Sequence, residues 1–366
     1  ALEAQVSALE AAQAARHSVH DRIRDLLDRA QRLNQALLRR HRWSLMHAEL
    51  TYTLLRRLLG QWVKGPSPNA LAAWLVSGVP NLSVAVDCDL AGLREIQGHG
   101  SEFERAWQAF LEKHGHRSLN LDIRHPPFAE APQTALTLFA DVPKRTDSRP
   151  LSRVQEAWND TEAGLTGPTR GAKCRVLRHV VGLARRYMGL REDQRYRWQQ
   201  GLALIRRLVM VQGRQWVEKG LLGKANDVFF VTWSELWEGQ GPPAPEVIST
   251  RQSRFETLED EFLASPSGDY PAFLQGDSPL QDREHPERGK GPSVYWGRAA
   301  SPGTARGVAR RVVHIGQLSQ VAEGEVLVAL STDPGWTPVF GRIVALVTEV
   351  GGLLSHGAVV AREYGL

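Results

Sequence analysis

Residues 351–363 read GGLLSHGAVVARE, and this stretch decides how the C-terminal part of the chain folds. A glycine pair enters a short turn, Ser355 and His356 follow, and a helix of small apolar residues begins at once. The turn predicts that His356 lies at a helix N-terminus, where unpaired backbone N–H groups and the helix dipole favour an anion. A neutral imidazole in that position is able to accept a phosphoryl group and carry it covalently.

The residues before this stretch predict a small sheet. Glu325–Leu330 and Arg342–Thr348 are rich in valine, leucine and isoleucine, which indicates strands. The loop between them, Thr332–Pro338, is rich in turn-forming residues. Upstream, glycines punctuate Gly297–Val313, which ends in an apolar run. The order of strand, loop, strand, glycine pair and helix indicates a small α/β unit.

This order resembles the swivelling phosphohistidine domain of the phosphoenolpyruvate-utilising enzymes, which include phosphoenolpyruvate synthase, pyruvate phosphate dikinase and rifampin phosphotransferase. The resemblance covers residues 293–366 and implies that His356 is the phosphorylated histidine. Gly352, Ser355 and Thr348 are then candidate phosphate-binding residues, although Ser355 and Thr348 could instead cap the helix and pack. The alternative interpretation is a helix-capping turn whose histidine is incidental.

Two features depart from the family pattern. Gly357 stands where the family usually has a small residue with a side chain, and glycine weakens a helix by about 1 kcal/mol relative to alanine. In the family, further strands follow this helix, whereas the chain ends at Leu366. The start also looks cut, because Ala1 opens directly into a helical pattern. We therefore expect a swivelling domain that is incomplete in this sequence.

The first two thirds of the chain predict helices, because apolar residues recur at helical spacing between arginines. Asn69 is a candidate cap for one of them, and Gly115 is expected to end another in a left-handed conformation. Asp227–Thr232 is interpreted as a short extended stretch. The predicted helices are 2–59, Ala70–Leu75, Ser101–His114, Gly167–Met188 and Glu192–Leu221.

Landmarks in this part resemble the helical middle domain of rifampin phosphotransferase and its relatives. They occur in the family's order, ahead of the swivelling domain. The segments are Phe110–Ser118, with its turn before an arginine, the proline-bearing Arg124–Phe128, Arg191–Arg195 at the opening of a long helix, and Gly223–Leu236. The predicted fold class is therefore a mostly α-helical substrate domain followed by a small α/β swivelling domain.

Four residues of the helical part are candidates for substrate binding. Arg191 and Arg195 are one helical turn apart and can face the same anion, although such a pair is as common on a solvated helix face. His116 and Arg117 follow a glycine and could line the mouth of a pocket or serve the turn itself. His114 and His116 alternate, but no third ligand has a diagnostic spacing, so no metal site is predicted.

The composition narrows the class of protein. The formal charge of +5 is modest for 366 residues, and many arginines alternate with acids, so no nucleic-acid-binding stripe is predicted. No signal peptide or membrane-spanning apolar run is visible. Cys88 and Cys174 are too few for a disulfide framework, which favours a reducing, cytoplasmic location. The expected organisation is a helical substrate-binding domain over 1–275, a polar linker over 276–292 and the swivelling domain over 293–366.

Together these features predict an ATP-dependent, dikinase-type phosphotransferase that relays phosphate through His356 to a small-molecule acceptor. ATP and Mg²⁺ are expected on an ATP-grasp domain, either cut away in cis or supplied in trans by a partner. Phosphorylation of a rifampin-like antibiotic, and hence antibiotic resistance, is favoured because the middle segment is helical. The alternatives are a phosphoenolpyruvate synthase-like enzyme, an ATP-dependent ligase of the same architecture, and a non-catalytic helical scaffold.

Overall fold

The computed structural model describes residues 19–119, 121–139, 149–237, 241–264, 274–276, 278–279, 294–313 and 315–366. The helical part contains α1 Val19–Trp62, α2 Pro68–Leu75, α3 Leu82–Glu95, α4 Ser101–His114, α5 Pro132–Phe139, α6 Arg149–Gly164, α7 Arg170–Glu218, a 3₁₀ turn Ala225–Phe230, α8 Trp233–Trp237 and α9 Pro245–Ala264. A two-stranded hairpin, β1 Leu274–Gln275 and β2 Ser278–Pro279, precedes the second part.

The second part is a small α/β unit. Its elements are β3 Ala309–Val312, a 3₁₀ turn Ile315–Gln320, β4 Val326–Ala329, a 3₁₀ turn Pro334–Gly341, β5 Ala345–Thr348 and α10 His356–Tyr364. The three strands are parallel in the order β3-β4-β5, with Val326 paired to both Ala309 and Ala345. A mostly helical protein with a small parallel sheet near its C-terminus confirms the predicted fold class.

The spine of the helical part is the pair α1 and α7, which pack along most of their lengths. Ile23 and Leu27 at the start of α1 share a core cluster with Leu208 near the end of α7. At the other end of α1, Leu55 shares a second cluster with Leu177 near the start of α7, so the two helices are antiparallel. Each such side chain contributes about 1.5–3 kcal/mol of stability when it is fully buried. The pair of α1 and α7 is therefore a stable surface against which other elements can pack.

The C-terminal unit has a core of its own and also touches the spine. Leu327 and Phe340 are fully buried inside it, beside Val360 of α10. Two other residues, Leu354 and Val359, instead join the core cluster between α1 and α7. One face of α10 therefore closes the swivelling unit, and the turn before it together with Val359 attaches that unit to the helical part.

One expected helix boundary is wrong. We expected one helix to end at Met188 and another to begin at Glu192, but α7 is continuous through Gly189. A Cβ atom at Gly189 would approach Cγ1 of Val79 to 3.2 Å and the carbonyl oxygen of Pro80 to 3.6 Å. This glycine allows the segment before α3 to approach α7, and it does not end a helix.

Three local expectations are also wrong. Residues Ala225–Phe230 form a 3₁₀ turn where an extended stretch was expected, because Asp227 accepts a hydrogen bond from the backbone N–H of Lys224 at 2.9 Å. Gly115 follows α4 in a right-handed conformation, with φ of −61°. Asn69 does not cap α2, which begins one residue earlier; its side-chain oxygen accepts from Nε of Arg56 at 2.7 Å.

The predicted linker over 276–292 lies almost entirely outside the described residues. The domain boundaries at 275 and 293 therefore stay predictions. Among the helices that the structure describes, none combines the length and apolar character needed to cross a bilayer.

Candidate functional site

The turn before α10 places His356 at the first position of that helix, as the sequence predicted. Ser355 is the N-cap residue, and its Oγ accepts from the backbone N–H of Ala358 at 3.3 Å. Gly351 has φ of 131°, a conformation that residues with a Cβ avoid, so this turn needs glycine at that position. The imidazole is thus fixed at the positive end of a helix dipole.

His356 points away from solvent and into the seam between the two parts of the chain. Its Nδ1 lies 2.8 Å from Oε2 of Glu192 on α7, and both side chains are 1% exposed. An ionised carboxylate can only accept, so Nδ1 carries the hydrogen and donates it. The lone pair is then on Nε2, which is buried and makes no hydrogen bond among the described residues. This tautomer leaves Nε2 as the nucleophilic nitrogen.

The charges around this pair agree with that assignment. Burial lowers the pKa of His356 more than the neighbouring Glu192 carboxylate raises it, so the imidazole is neutral near neutral pH. Burial raises the pKa of Glu192, but His356 and the guanidinium groups of Arg191 and Arg195 outweigh it, and the pKa falls to about 2. A neutral imidazole held by an ionised carboxylate is the form needed for nucleophilic attack on phosphorus.

Arg191 and Arg195 both face this pair, as their spacing predicted. Nη1 of Arg191 lies 3.4 Å from Oε1 of Glu192, without hydrogen-bond geometry. Nη2 of Arg195 donates to Oδ1 of Asp333 at 3.2 Å, across the seam. Burial raises the pKa of Asp333, against the opposing effects of Arg195 and His356. Two guanidinium groups and a carboxylate of raised pKa therefore lie near the histidine.

Several buried polar atoms of this seam have no hydrogen-bond partner among the described residues. Buried polar atoms are rarely left without a partner in folded proteins, so a group of them indicates a ligand-binding site. The atoms at the seam are Nε and Nη1 of Arg191, Oε1 of Glu192, Nε of Arg195, Oγ1 of Thr332 and Nε2 of His356. The set is rich in hydrogen-bond donors, which suits an anion such as a phosphoryl group.

His116 and Arg117 lie beside the same face of α7, one to two turns further along. Nη1 of Arg117 donates to Oε1 of Gln199 at 2.8 Å, and the His116 ring packs edge-on against Tyr196. Burial and the charge of Arg117 lower the pKa of His116 to about 3, so it is neutral. His116 lines a small cleft together with Gln199, the hydrogen-bond partner of Arg117, and the charge of Arg117 also lowers the pKa of His356.

The three phosphate-binding candidates have different surroundings. Ser355 is engaged as the helix cap, and Thr348 ends β5 in a half-buried position. Gly352 is exposed, and its carbonyl oxygen accepts from the backbone N–H of Ser355 at 2.9 Å. Their predicted contact with phosphate stays a prediction, as do the substrate roles of the arginines and of His116.

The departure at Gly357 has a structural explanation. A Cβ atom at this position would lie well inside contact distance of Oγ1 of Thr332. The loop that carries Thr332 and Asp333 therefore approaches the first turn of α10 closely because residue 357 is glycine. Glycine at position 357 slightly weakens α10 but allows this loop to lie closer to the first turn of the helix.

Three functional candidates were missed in the sequence. Glu192 stands inside the Arg191–Arg195 landmark, but its adjacency to Arg191 gave no sign that both side chains would face the histidine. Asp333 and Thr332 were seen only as members of a turn-rich loop. A loop that follows a parallel strand commonly contributes to a site, and this general rule was the available signal.

Both parts of the chain match known families. Residues 321–366 match the family described as PEP-utilising enzyme, mobile domain, and residues 85–192 match the rifampicin phosphotransferase fourth domain. The two family models confirm the predicted resemblance to phosphoenolpyruvate-utilising enzymes and to rifampicin phosphotransferases. The matched regions contain both halves of the seam, since Glu192 closes the first match and His356 lies in the second.

Curated relatives agree with these matches. The chain is 27% identical over 287 residues to a rifampicin phosphotransferase of Streptomyces sviceus, which covers 75% of this chain and 32% of the relative. It is 27% identical over 280 residues to that of Bacillus subtilis, covering 73% and 31%. A phosphoenolpyruvate synthase of Deinococcus radiodurans is 44% identical over 78 residues, 21% of this chain and 10% of the relative. The chain thus spans about a third of the length of these two rifampicin phosphotransferases.

Proposed function

We propose that this chain is the acceptor-binding and phosphate-carrying part of an ATP-dependent phosphotransferase. In this proposal His356 attacks the β-phosphorus of ATP bound elsewhere, which releases AMP and leaves a pyrophosphoryl group on Nε2. Water then removes the outer phosphate as orthophosphate, and the remaining phosphoryl group passes, in the seam, to a hydroxyl group of a small molecule. A rifampicin-like hydroxyl compound is the favoured acceptor, because the similarity to rifampicin phosphotransferases covers about three quarters of the chain (75% and 73%). The similarity to phosphotransferases supports an enzymatic role for the chain.

One observation carries the proposal: the imidazole of His356 is held against Glu192 among unpartnered donors. An incidental histidine in a capping turn would need neither an ionised carboxylate on Nδ1 nor two guanidinium groups nearby. The ring is only 2% exposed as a residue, but charged groups of Glu192, Arg195 and Arg117 act on it. The polar seam supports a reaction there when the carrier is docked.

The proposed transfer step moves a phosphoryl group from Nε2 of His356 to the acceptor oxygen. The acceptor oxygen attacks phosphorus, the P–Nε2 bond breaks, and its electron pair returns to Nε2 of His356. The hydroxyl proton passes to the carboxylate of Asp333, which burial makes more basic. Glu192 keeps the proton of Nδ1 in place, and Arg191 with Arg195 stabilises charge on the moving phosphoryl group. Because these groups are fixed before reaction, little reorganisation accompanies the step.

ATP enters this proposal as the donor substrate, with Mg²⁺ as its companion ion. Within the described ranges, no group of three histidine, cysteine or acidic residues is arranged to hold a metal ion. The described residues thus do not fit a magnesium–nucleotide site. We propose that an ATP-grasp domain, in the same polypeptide or in a partner, supplies the donor. The predicted cytoplasmic location stays a prediction.

The experiment compares the full-length protein with its His356→Gln variant. Each is incubated with β-labelled or γ-labelled ATP, with and without rifampicin. The proposal expects AMP, β-label in rifampicin and γ-label in orthophosphate for the wild type, and none of these for the variant. His179→Gln, an exposed histidine on α7, is the matched control and should behave like the wild type. Equal labelling in the His356→Gln variant would refute the proposal.

Phosphoenolpyruvate synthase-like activity is the second candidate, favoured by the 44% identity over 78 residues to a phosphoenolpyruvate synthase. The acceptor would then be pyruvate as its enolate, and the same carrier would serve. The same labelling with pyruvate in place of rifampicin distinguishes the two, since only one acceptor should discharge the carrier.

A further inference from the structure

We propose that Glu363 and Gly335 are positioning residues that fix the docked position of His356. This positioning role rests on the proposed function, in which His356 is the reacting group. The catalytic pair itself is a single hydrogen bond between His356 and Glu192. A mobile unit that delivers an imidazole needs contacts away from the reacting atoms, because a displacement of about 1 Å can slow a reaction 10²-fold.

The first contact is made by the far end of α10. Glu363 follows His356 by seven residues, or about two helical turns, and therefore lies on the same face of the helix. Both carboxylate oxygens lie 2.9 Å from the backbone nitrogen of Gly78 in the helical part. Glu363 is 9% exposed, so this charge-assisted bond is shielded from water.

The backbone segment that binds this carboxylate is fixed by its own conformation and by Arg185. Gly78 has φ of 65°, a left-handed conformation suited to glycine, which turns its N–H toward α10. Arg185 of α7 holds the same segment from behind, because its guanidinium donates to the carbonyl oxygens of Leu75, Ser77 and Gly78. Glu363 in turn raises the pKa of Arg185 against the effect of burial. The acid therefore meets both a fixed N–H and a nearby cation.

The second contact is made by the 3₁₀ turn Pro334–Gly341 and not by α10. Gly335 follows the loop that carries Thr332 and Asp333, and it approaches the backbone of Leu119 after the His116 turn. A Cβ atom at residue 335 would lie 2.5 Å from Cα and 2.6 Å from the carbonyl oxygen of Leu119. Backbone atoms cannot rotate away, so a side chain here is incompatible with the docked position. The contact does not involve the interior of the swivelling unit.

These two contacts join the unit that carries His356 to two separate segments of the helical part, at Gly78 and at Leu119. Glu363 fixes the distance between α10 and the segment after α2, and Gly335 allows the loop to reach the turn after α4. Changing either residue should release the unit and expose the imidazole, while the chemistry of His356 itself is unaltered.

The test measures the accessibility of His356 to diethyl pyrocarbonate in this chain, by mass spectrometry of the peptide that contains it. The exposed His179 is the internal reference. In the wild type His356 should react about 10-fold or more slowly than His179, and Gly335→Ala should bring it to within about 2-fold, since the reagent samples the undocked population. Glu363→Ala should raise the rate, and Glu363→Gln should restore protection because its amide oxygen still accepts from Gly78.

Gly297→Ala and Glu349→Gln are the matched controls. Gly297 has no atom within 4 Å of an added Cβ, and Glu349 is exposed. Both should match the wild type. Far-UV circular dichroism and thermal unfolding show whether each variant is folded; if Gly335→Ala is not, Glu363→Ala decides. Unchanged protection in the folded variants, or a wild-type His356 as reactive as His179, would overturn the inference. Failure of the phosphotransferase proposal shows separately, as absence of label from ATP.

Discussion

Nδ1 of His356 lies 2.8 Å from Oε2 of Glu192, although 164 residues separate the two along the chain. One residue begins the last helix of the small α/β unit, and the other lies in the middle of the long helix of the spine. The bond therefore exists only while the two parts are docked. It couples the position of the carrier to the protonation of its imidazole, because undocking removes the acceptor of the Nδ1 hydrogen.

The carboxylate of Glu192 is expected to matter more for transfer than for folding. Glu192→Gln keeps a hydrogen-bond acceptor but removes the charge that stabilises the Nδ1 hydrogen, so transfer from phosphohistidine to the acceptor should slow about 10²-fold. Single-turnover discharge of the labelled protein measures this rate. Glu218→Gln, an exposed glutamate at the end of the same helix, should discharge like the wild type. An equal rate for both variants would contradict the role given to Glu192.

Asp333 gives the transfer step a specific dependence on pH. The carboxylate accepts the hydroxyl proton only when ionised, so the rate should fall as pH drops through its pKa, which burial raises above 3.8. Asp333→Asn should transfer slowly and show no such fall in this range. The check is the rate of discharge across pH, with the exposed Asp160→Asn as the control. A retained acid limb in Asp333→Asn would assign the base elsewhere.

His116 should make the fold sensitive to acid. Its pKa is about 3 in the folded protein, mainly because of burial, against 6.5 ordinarily. Its contribution is thus fully present above pH 6.5 and is lost as pH falls towards 3, at up to about 1.4 kcal/mol per pH unit. Urea unfolding at several pH values should show a smaller loss for His116→Gln than for the wild type or His179→Gln. The same slope in all three would exclude His116 as the cause.

The close approach of Gly357 and Thr332 predicts a coupled pair. Gly357→Ala forces its Cβ onto Oγ1 of Thr332, and overpacking of this kind costs about 1–3 kcal/mol of unfolding free energy. In the background of Thr332→Ala the same change should cost less, because the obstructing oxygen is gone. Urea unfolding of the four proteins of this double-mutant cycle gives the coupling energy. Additive effects would mean that the two residues do not limit each other.

The sequence predicted the local part of the site well. The glycine pair, the helix start at His356 and the spacing of Arg191 and Arg195 are properties of neighbouring residues, and neighbouring residues determine turns and helix faces. The helix Ser101–His114 was predicted with the bounds that the structure has. These features depend on periodicity and on capping, which can be seen in a short stretch of sequence.

Contacts across the seam could not be predicted in the same way. Glu192 becomes important because a helix from the other part of the chain meets it, and no local pattern shows that meeting. The misplaced helix boundary at Gly189 has the same origin. A glycine that allows a close approach of two distant segments looks, in the sequence, like a glycine that ends a helix.

Nε2 of His356 is expected to carry the phosphoryl group. The most direct measurement treats the full-length protein with ATP, isolates the phosphoprotein at alkaline pH and locates the phosphate by mass spectrometry and phosphorus NMR. We predict an acid-labile phosphoramidate on Nε2 of His356 alone, which disappears when the acceptor is added. Phosphate on Nδ1, on another residue, or on no residue of this chain would contradict it.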